Sequence, residues 1–146
     1  MMKYKILSII IIPFFIYGCT SLGKRWRISN HYDVASGSRT CSIVKGNIAF
    51  IGVSTKVGNS SSSRASVYPI ESYGIYPRSS VYIHIAGKRW SGREKVIIDS
   101  ELYSYMTSGG VMNISWSPWP QGGRRSAAID LTGFKEVSSC IRSNLR

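Results

Sequence analysis

The sequence predicts a β-rich α+β domain: an antiparallel sheet or sandwich with one short inner helix and a C-terminal helix. Three observations predict it. Several short stretches alternate apolar and polar residues and are separated by Gly, Pro, Asn or Ser, the period-two signature of strands. Between residues 99 and 110 the period becomes helical, with Leu102, Tyr105 and Met106 at i, i+3 and i+4. Beyond Thr132, Phe134, Val137 and Ile141 share one arc, and Leu145 continues it.

The elements follow in order. Trp26 and Ile28 alternate with Arg25, Arg27 and Ser29, a first strand. Residues 33–38 contain Gly37 among small residues, a turn. Cys41, Ile43 and Lys45 alternate with Ser42 and Val44, a second strand, and Gly46-Asn47 reads as a tight turn. Residues 48–53 are continuously apolar, as in a strand buried on both faces. Residues 58–66 (GNSSSSRAS) read as a mobile polar loop of low complexity. Tyr68-Pro69 and Tyr76-Pro77 bracket an extended segment, because a residue before proline is pushed out of the α region.

Val81, Ile83 and Ile85 alternate with Tyr82, His84 and Ala86. Residues 95–98 follow, and the two stretches read as a hairpin around a basic tip at residues 87–93. Asp99 or Ser100 caps the inner helix, since a short side-chain oxygen accepts the free amides of a first turn. Gly109-Gly110 ends it. Met112, Ile114 and Trp116 form a further strand, residues 118–123 a Pro/Gly loop, and Ala127, Ile129 and Leu131 the last strand. Thr132 is the expected cap of the C-terminal helix.

The N-terminus carries an address. Lys3 and Lys5 precede a run, residues 6–17, that is apolar except for Ser8 and contains Pro13. It is well short of the roughly 20 residues that span a bilayer. It ends in Ile16-Tyr17-Gly18-Cys19. This resembles the lipobox of bacterial lipoproteins, with Tyr17 standing where a smaller residue is usual. The resemblance implies that residues 1–18 are a signal peptide and that Cys19 becomes the acylated first residue of the mature protein. Residues 19–24 would be a lipid-anchored tether and residues 25–146 a single β-rich globular domain. Thr20, where Asp would favour the inner membrane, implies sorting to the outer membrane, with the domain in the periplasm. Two or more acyl chains anchor stably where one binds only marginally.

An envelope address gives meaning to charge and cysteines. The formal net charge is +12. Such an excess favours encounter with anionic partners: anionic lipid, polysaccharide or an envelope protein. Nucleic acid is not expected for an exported chain. With Cys19 acylated, Cys41 and Cys140 remain, and two cysteines in an oxidising compartment read as one disulfide. A reactive thiol is the competing reading; it needs a setting that lowers the thiol pKa, which neighbouring residues do not supply.

The second half, through SSVYIHIAG, DSELYSYMTSGG, VMNISW and AAIDLTGFKEV, resembles the invasion-associated locus B family of small exported bacterial proteins. The matching positions are Asp99, Leu102, Gly109, Leu131, Gly133 and Phe134, and Trp26 and Cys41 fall where the family's early tryptophan and a cysteine lie. The resemblance implies a β-sandwich-like fold over about residues 24–141. The sequence departs from the family in the lipobox, in lacking a cysteine pair between Ile85 and Asp99, and in carrying Cys140.

Catalytic motifs are absent from the sequence: there is no Gly-x-Ser-x-Gly, Walker loop or His-Glu-x-x-His. His31 and His84 are the only histidines, which excludes a His-rich metal site, and no cofactor is expected. Asp99 and Glu101 stand at a helix start, where the amide dipole explains them better than acid/base chemistry. The best constellation is basic and aromatic. Lys88, Arg89 and Trp90 with Arg93 occupy the hairpin tip, and Trp119 with Arg124 and Arg125 the Pro/Gly loop. Guanidinium groups fork onto phosphate or carboxylate, and an exposed indole stacks on sugar or lipid heads. Trp26 and Trp116 read as core. The expected function is a non-enzymatic binding or scaffolding domain of an outer-membrane lipoprotein. The alternative is a periplasmic inhibitor or immunity-type protein that blocks an enzyme.

Overall fold

The computed structural model describes residues 25–145. Cys19 and the tether, including Lys24, lie outside the described residues. Nine strands and three short helices follow in the order β1 (Arg27–Asp33), β2 (Ser38–Lys45), β3 (Ile48–Val57), β4 (Ser60–Pro69), β5 (Ser80–Ile85), β6 (Lys88–Arg93), β7 (Val96–Ile97), α1 (Ser100–Thr107), β8 (Val111–Trp116), β9 (Arg125–Asp130), α2 (Phe134–Val137) and α3 (Ser139–Arg142). They build two antiparallel sheets, ordered β1-β2-β3-β4-β7 and β6-β5-β8-β9. The β-rich α+β class, the inner helix and a helical C-terminus are as the periodicities predict.

Alternation decides which face is inward. Ile43, Phe50 and Val67 pair across β2, β3 and β4 on one face of the first sheet. Ile83 and Ile114 pair across β5 and β8 on one face of the second. These residues, with Leu102 and Met106 of α1, Phe134 of α2 and Ile141 of α3, belong to a single core. Trp116 is fully buried, as expected of a core indole. Trp26 is half-buried against Phe50 and Phe134, and its Nε1 donates to the Thr132 carbonyl at 2.8 Å. Lys45, a charge on the inner face, is buried; its Nζ donates to the Asp130 carbonyl at 2.5 Å and lies over the Trp26 ring. The aliphatic stem thus fills core while the ammonium reaches a partner at the end of the other sheet.

Several expectations are corrected in detail. The serine-rich stretch at residues 58–66 is not a loop. A two-residue turn, Gly58-Asn59, starts a hairpin, and Ser60 to Ser63 pair with Val57 to Ser54 in β3. Main-chain pairing to a long neighbouring strand outweighs the weak β preference of serine, which depends strongly on context. The basic tip at residues 87–93 is likewise a strand: β5 turns at Ala86-Gly87, both at positive φ, straight into β6. The residues after it do not return to β5; β7 crosses to the first sheet and pairs with β4. The C-terminal helix is broken into α2 and α3. Its first cap position is Gly133, not Thr132, because the Thr132 hydroxyl and amide are both engaged by Asp130. Finally, Tyr68-Pro69 ends β4 instead of opening an extended segment, and the stretch up to Tyr76-Pro77 is irregular, with one bridge between Ile75 and Pro118.

Burial on both faces holds for Ile48, Ala49 and Phe50 of β3, but the strand runs on to an exposed Val57. Asp99 does cap α1: its carboxylate accepts from the Leu102 amide at 2.7 Å. Gly109 follows the helix at φ 81°, a conformation that costs glycine little.

Candidate functional site: a basic face on the second sheet

Strand parity sorts the predicted binding residues. In β6, Arg89 and Arg93 point outward with Ser91, and Lys88 and Trp90 point to the core side, since Trp90 pairs with buried Ile83. The seven residues consequently divide. Lys88 is ion-paired with Glu101 of α1, which raises its pKa, and its ammonium lies over Trp90 and Tyr105. Trp90 is half-buried edge-on to Tyr105, with ring centroids 5.1 Å apart. Arg125 binds Glu71, whose Oε1 also accepts from the Trp116 indole at 2.6 Å. Trp119 is 41% exposed and packs on Tyr76. These four have structural partners.

The remaining three differ. The Arg89 guanidinium stands 4.0 Å from the centre of the Tyr82 ring and that of Arg124 stands 4.5 Å from it. Arg93 lies on the same outward face, opposite Ser80. Arg124 donates to the Ser80 carbonyl at 3.4 Å. Neither Arg89 nor Arg124 takes part in the two ion pairs found among the described residues. Around Tyr82 the register sets Ser91 and Ser115 directly alongside, and Ser126 one strand further. His84 is exposed next to Arg89 and Asn113. The acid on this face is Asp130, at its far end opposite Val111. Its pKa is lowered, first by the Thr132 hydroxyl.

Two cations on one aromatic ring repel each other, so the arrangement favours an anion between or above them. The same field acts on the phenol. Tyr82 is held below the ordinary tyrosine range, first by the Ser80 side chain and then by Arg124 and Arg89. Sequence reasoning missed Tyr82, the residue that gathers the two arginines. The signal was its alternation with Val81 and Ile83, which puts a large ring on a solvent face.

Cys41 and Cys140 form a disulfide, with Cα atoms 6.3 Å apart. Among the described residues no three of His, Cys, Asp and Glu gather where they could hold a metal ion. Comparison with family models, curated proteins and solved structures finds no match to this chain.

Proposed function

We propose that the chain is a non-enzymatic, lipid-anchored domain of the bacterial cell envelope that binds an anionic group, phosphate or carboxylate, on the outward face of its second sheet. One observation carries the binding reading: Arg89 and Arg124 share the ring of Tyr82 without an ion pair to offset them. The address rests on the lipobox-like IYGC and the short apolar run before it. Serine hydroxyls beside the ring supply neutral donors for the remaining oxygens of a bound anion.

Two measurements test the two halves separately. Full-length protein expressed in a Gram-negative host should carry acyl chains on Cys19, and Cys19→Ala should shift it from the membrane to the soluble fraction. An unacylated wild-type N-terminus would remove the address. Equilibrium binding of the full chain to phosphatidylglycerol vesicles, at low and high salt, tests the face. Arg89→Ala and Arg124→Ala should each weaken binding by about tenfold, and non-additively, because both act on one ligand. Arg64→Ala, on an exposed position of β4, should weaken it less than twofold. Equal effects of all three would mean that net charge alone drives binding.

A further inference from the structure

β1 is an open edge of the first sheet. It pairs with β2 along one side, and among the described residues no other main-chain partner meets it. The unused side presents a row of N–H and C=O groups, a template for a further strand. Edge strands are commonly blunted by Pro, Lys or a bulge. β1 (RISNHYD) has none of these: it contains no Pro or Lys, and its residues pair one-to-one with those of β2.

Both faces of this strand are unfinished. Ile28, Asn30 and Tyr32 share the inner face with buried Ile43 and Cys41. Yet Ile28 is 51% exposed and Tyr32 54%, so apolar surface continues past the core to the sheet edge. Arg27, Ser29, His31 and Asp33 occupy the outer face. Arg27 is exposed and takes part in neither ion pair found among the described residues. Asp33 has its pKa lowered, first by the Ser36 side chain, and so keeps its charge at neutral pH. Its oxygens accept from Ser36 and the Ala35 amide, and a carboxylate has lone pairs for a further donor.

The sequence of the strand specifies the partner. Two copies of β1 can pair antiparallel about a two-fold axis, and residues directly opposite each other then share a face. With the axis at Asn30 the whole strand is matched: Arg27 faces Asp33, Ile28 faces Tyr32 and Ser29 faces His31, each pair formed in duplicate. Asn30 meets its own copy, and an amide can both donate and accept. The edges of the second sheet lack this property. β6 carries Lys88, Arg89 and Arg93 and no acid, so two copies of it repel. β9 holds Arg125 and Asp130 an odd number of positions apart, so they lie on opposite faces and no antiparallel register opposes them.

We infer that β1 is a homodimer interface, at which two copies of this chain join edge to edge about Asn30, with Arg27–Asp33 and Ile28–Tyr32 contacts made in duplicate, into one continuous sheet. The contact is separate from the Tyr82 face and does not depend on it.

The test is sedimentation of the full chain in density-matched detergent over a range of concentrations, with amide hydrogen exchange alongside. A reversible monomer–dimer equilibrium is expected. Arg27→Glu puts two acids opposite each other and Asp33→Lys two bases, so each should weaken the dimer about tenfold. An equimolar mixture of the two variants should recover the wild-type affinity, because opposite charges face each other again in the mixed dimer. Misfolded chains would not recover on mixing. Alternate amides of β1 should gain protection from exchange as concentration rises, and Arg89→Ala should leave the equilibrium unchanged. A chain that stays monomeric, or a dimer that neither substitution weakens, would overturn the inference. Alternate β1 amides already protected in the monomer would mean that another part of the chain holds the edge, and would overturn it as well. A mixture no tighter than the separate variants would overturn the register about Asn30.

Discussion

Tyr82 shows how one side chain can both build and report a site. The folded chain lowers its pKa through Ser80, Arg124 and Arg89. A depressed acid stabilises the fold above its unfolded pKa, near 10, and that contribution is lost as pH falls through the folded value. Tyr82 is exposed enough that the effect on stability is slight; the effect on binding is the useful one. Once ionised, the phenolate itself occupies the two guanidinium groups. Anion binding at this face should therefore fall as pH rises through the Tyr82 titration, at a pH below that of an ordinary tyrosine. Ring-carbon NMR should show the Tyr82 midpoint rising in Arg89→Ala. An unchanged midpoint would mean that Arg89 does not sit over the ring in solution. Composition made the arginines visible, but not their shared ring. That depends on β6 pairing with β5 and on β8 bringing the residue before β9 within reach of β5, a non-local arrangement that a linear reading does not contain.

At the scale of elements, the most consequential step is the passage from β6 to β7, where the chain leaves one sheet for the other. Gly92 makes it possible. A Cβ at that position would lie 2.1 Å from the Lys95 carbonyl oxygen, a backbone atom that cannot swing aside. Glu94 adopts a positive φ of 61° within the same turn, and its carboxylate accepts from the Arg78 amide at 2.8 Å. Gly92→Ala should destabilise by about 2–3 kcal/mol, the upper part of the range for overpacking. Chemical denaturation would measure it; a loss below about 0.5 kcal/mol would mean that the crossing can relax. The cap of α1 gives a milder expectation. Asp99→Ala should cost about 1 kcal/mol, because it removes the bond to the Leu102 amide. The inner helix was legible because capping, stripe and terminating glycines are all local. The β3–β4 hairpin was not, because four serines carry no apolar alternation; only pairing with β3 makes them a strand. The sheet change after β6 was equally hidden, since residues 95–98 alternate as well for one sheet as for the other.

For the molecule as a whole, the question is what ties two open sheets into one body. Lys45 reaches from the first sheet to the Asp130 carbonyl at the end of the second. The disulfide does more. Cys41 lies in β2 and Cys140 in α3, 99 residues apart, so the bridge encloses nearly all of both sheets. In the chain-entropy model a loop of that length is worth about 4.7 kcal/mol, because the crosslink restricts the unfolded chain. The double variant Cys41→Ala with Cys140→Ala should lose about 2–5 kcal/mol in chemical denaturation. The slope of the transition distinguishes the cause. If the bridge acts through the unfolded state, its removal lets the denatured chain expand and expose more surface, and the denaturant dependence should steepen. If the loss comes from packing around Cys41, which is buried, the slope should stay constant. In that case Cys41→Ala measured under reducing conditions would account for nearly the whole loss. A double variant within 1 kcal/mol of the oxidised protein would show that the core and the Lys45 contact hold the sheets without the bridge.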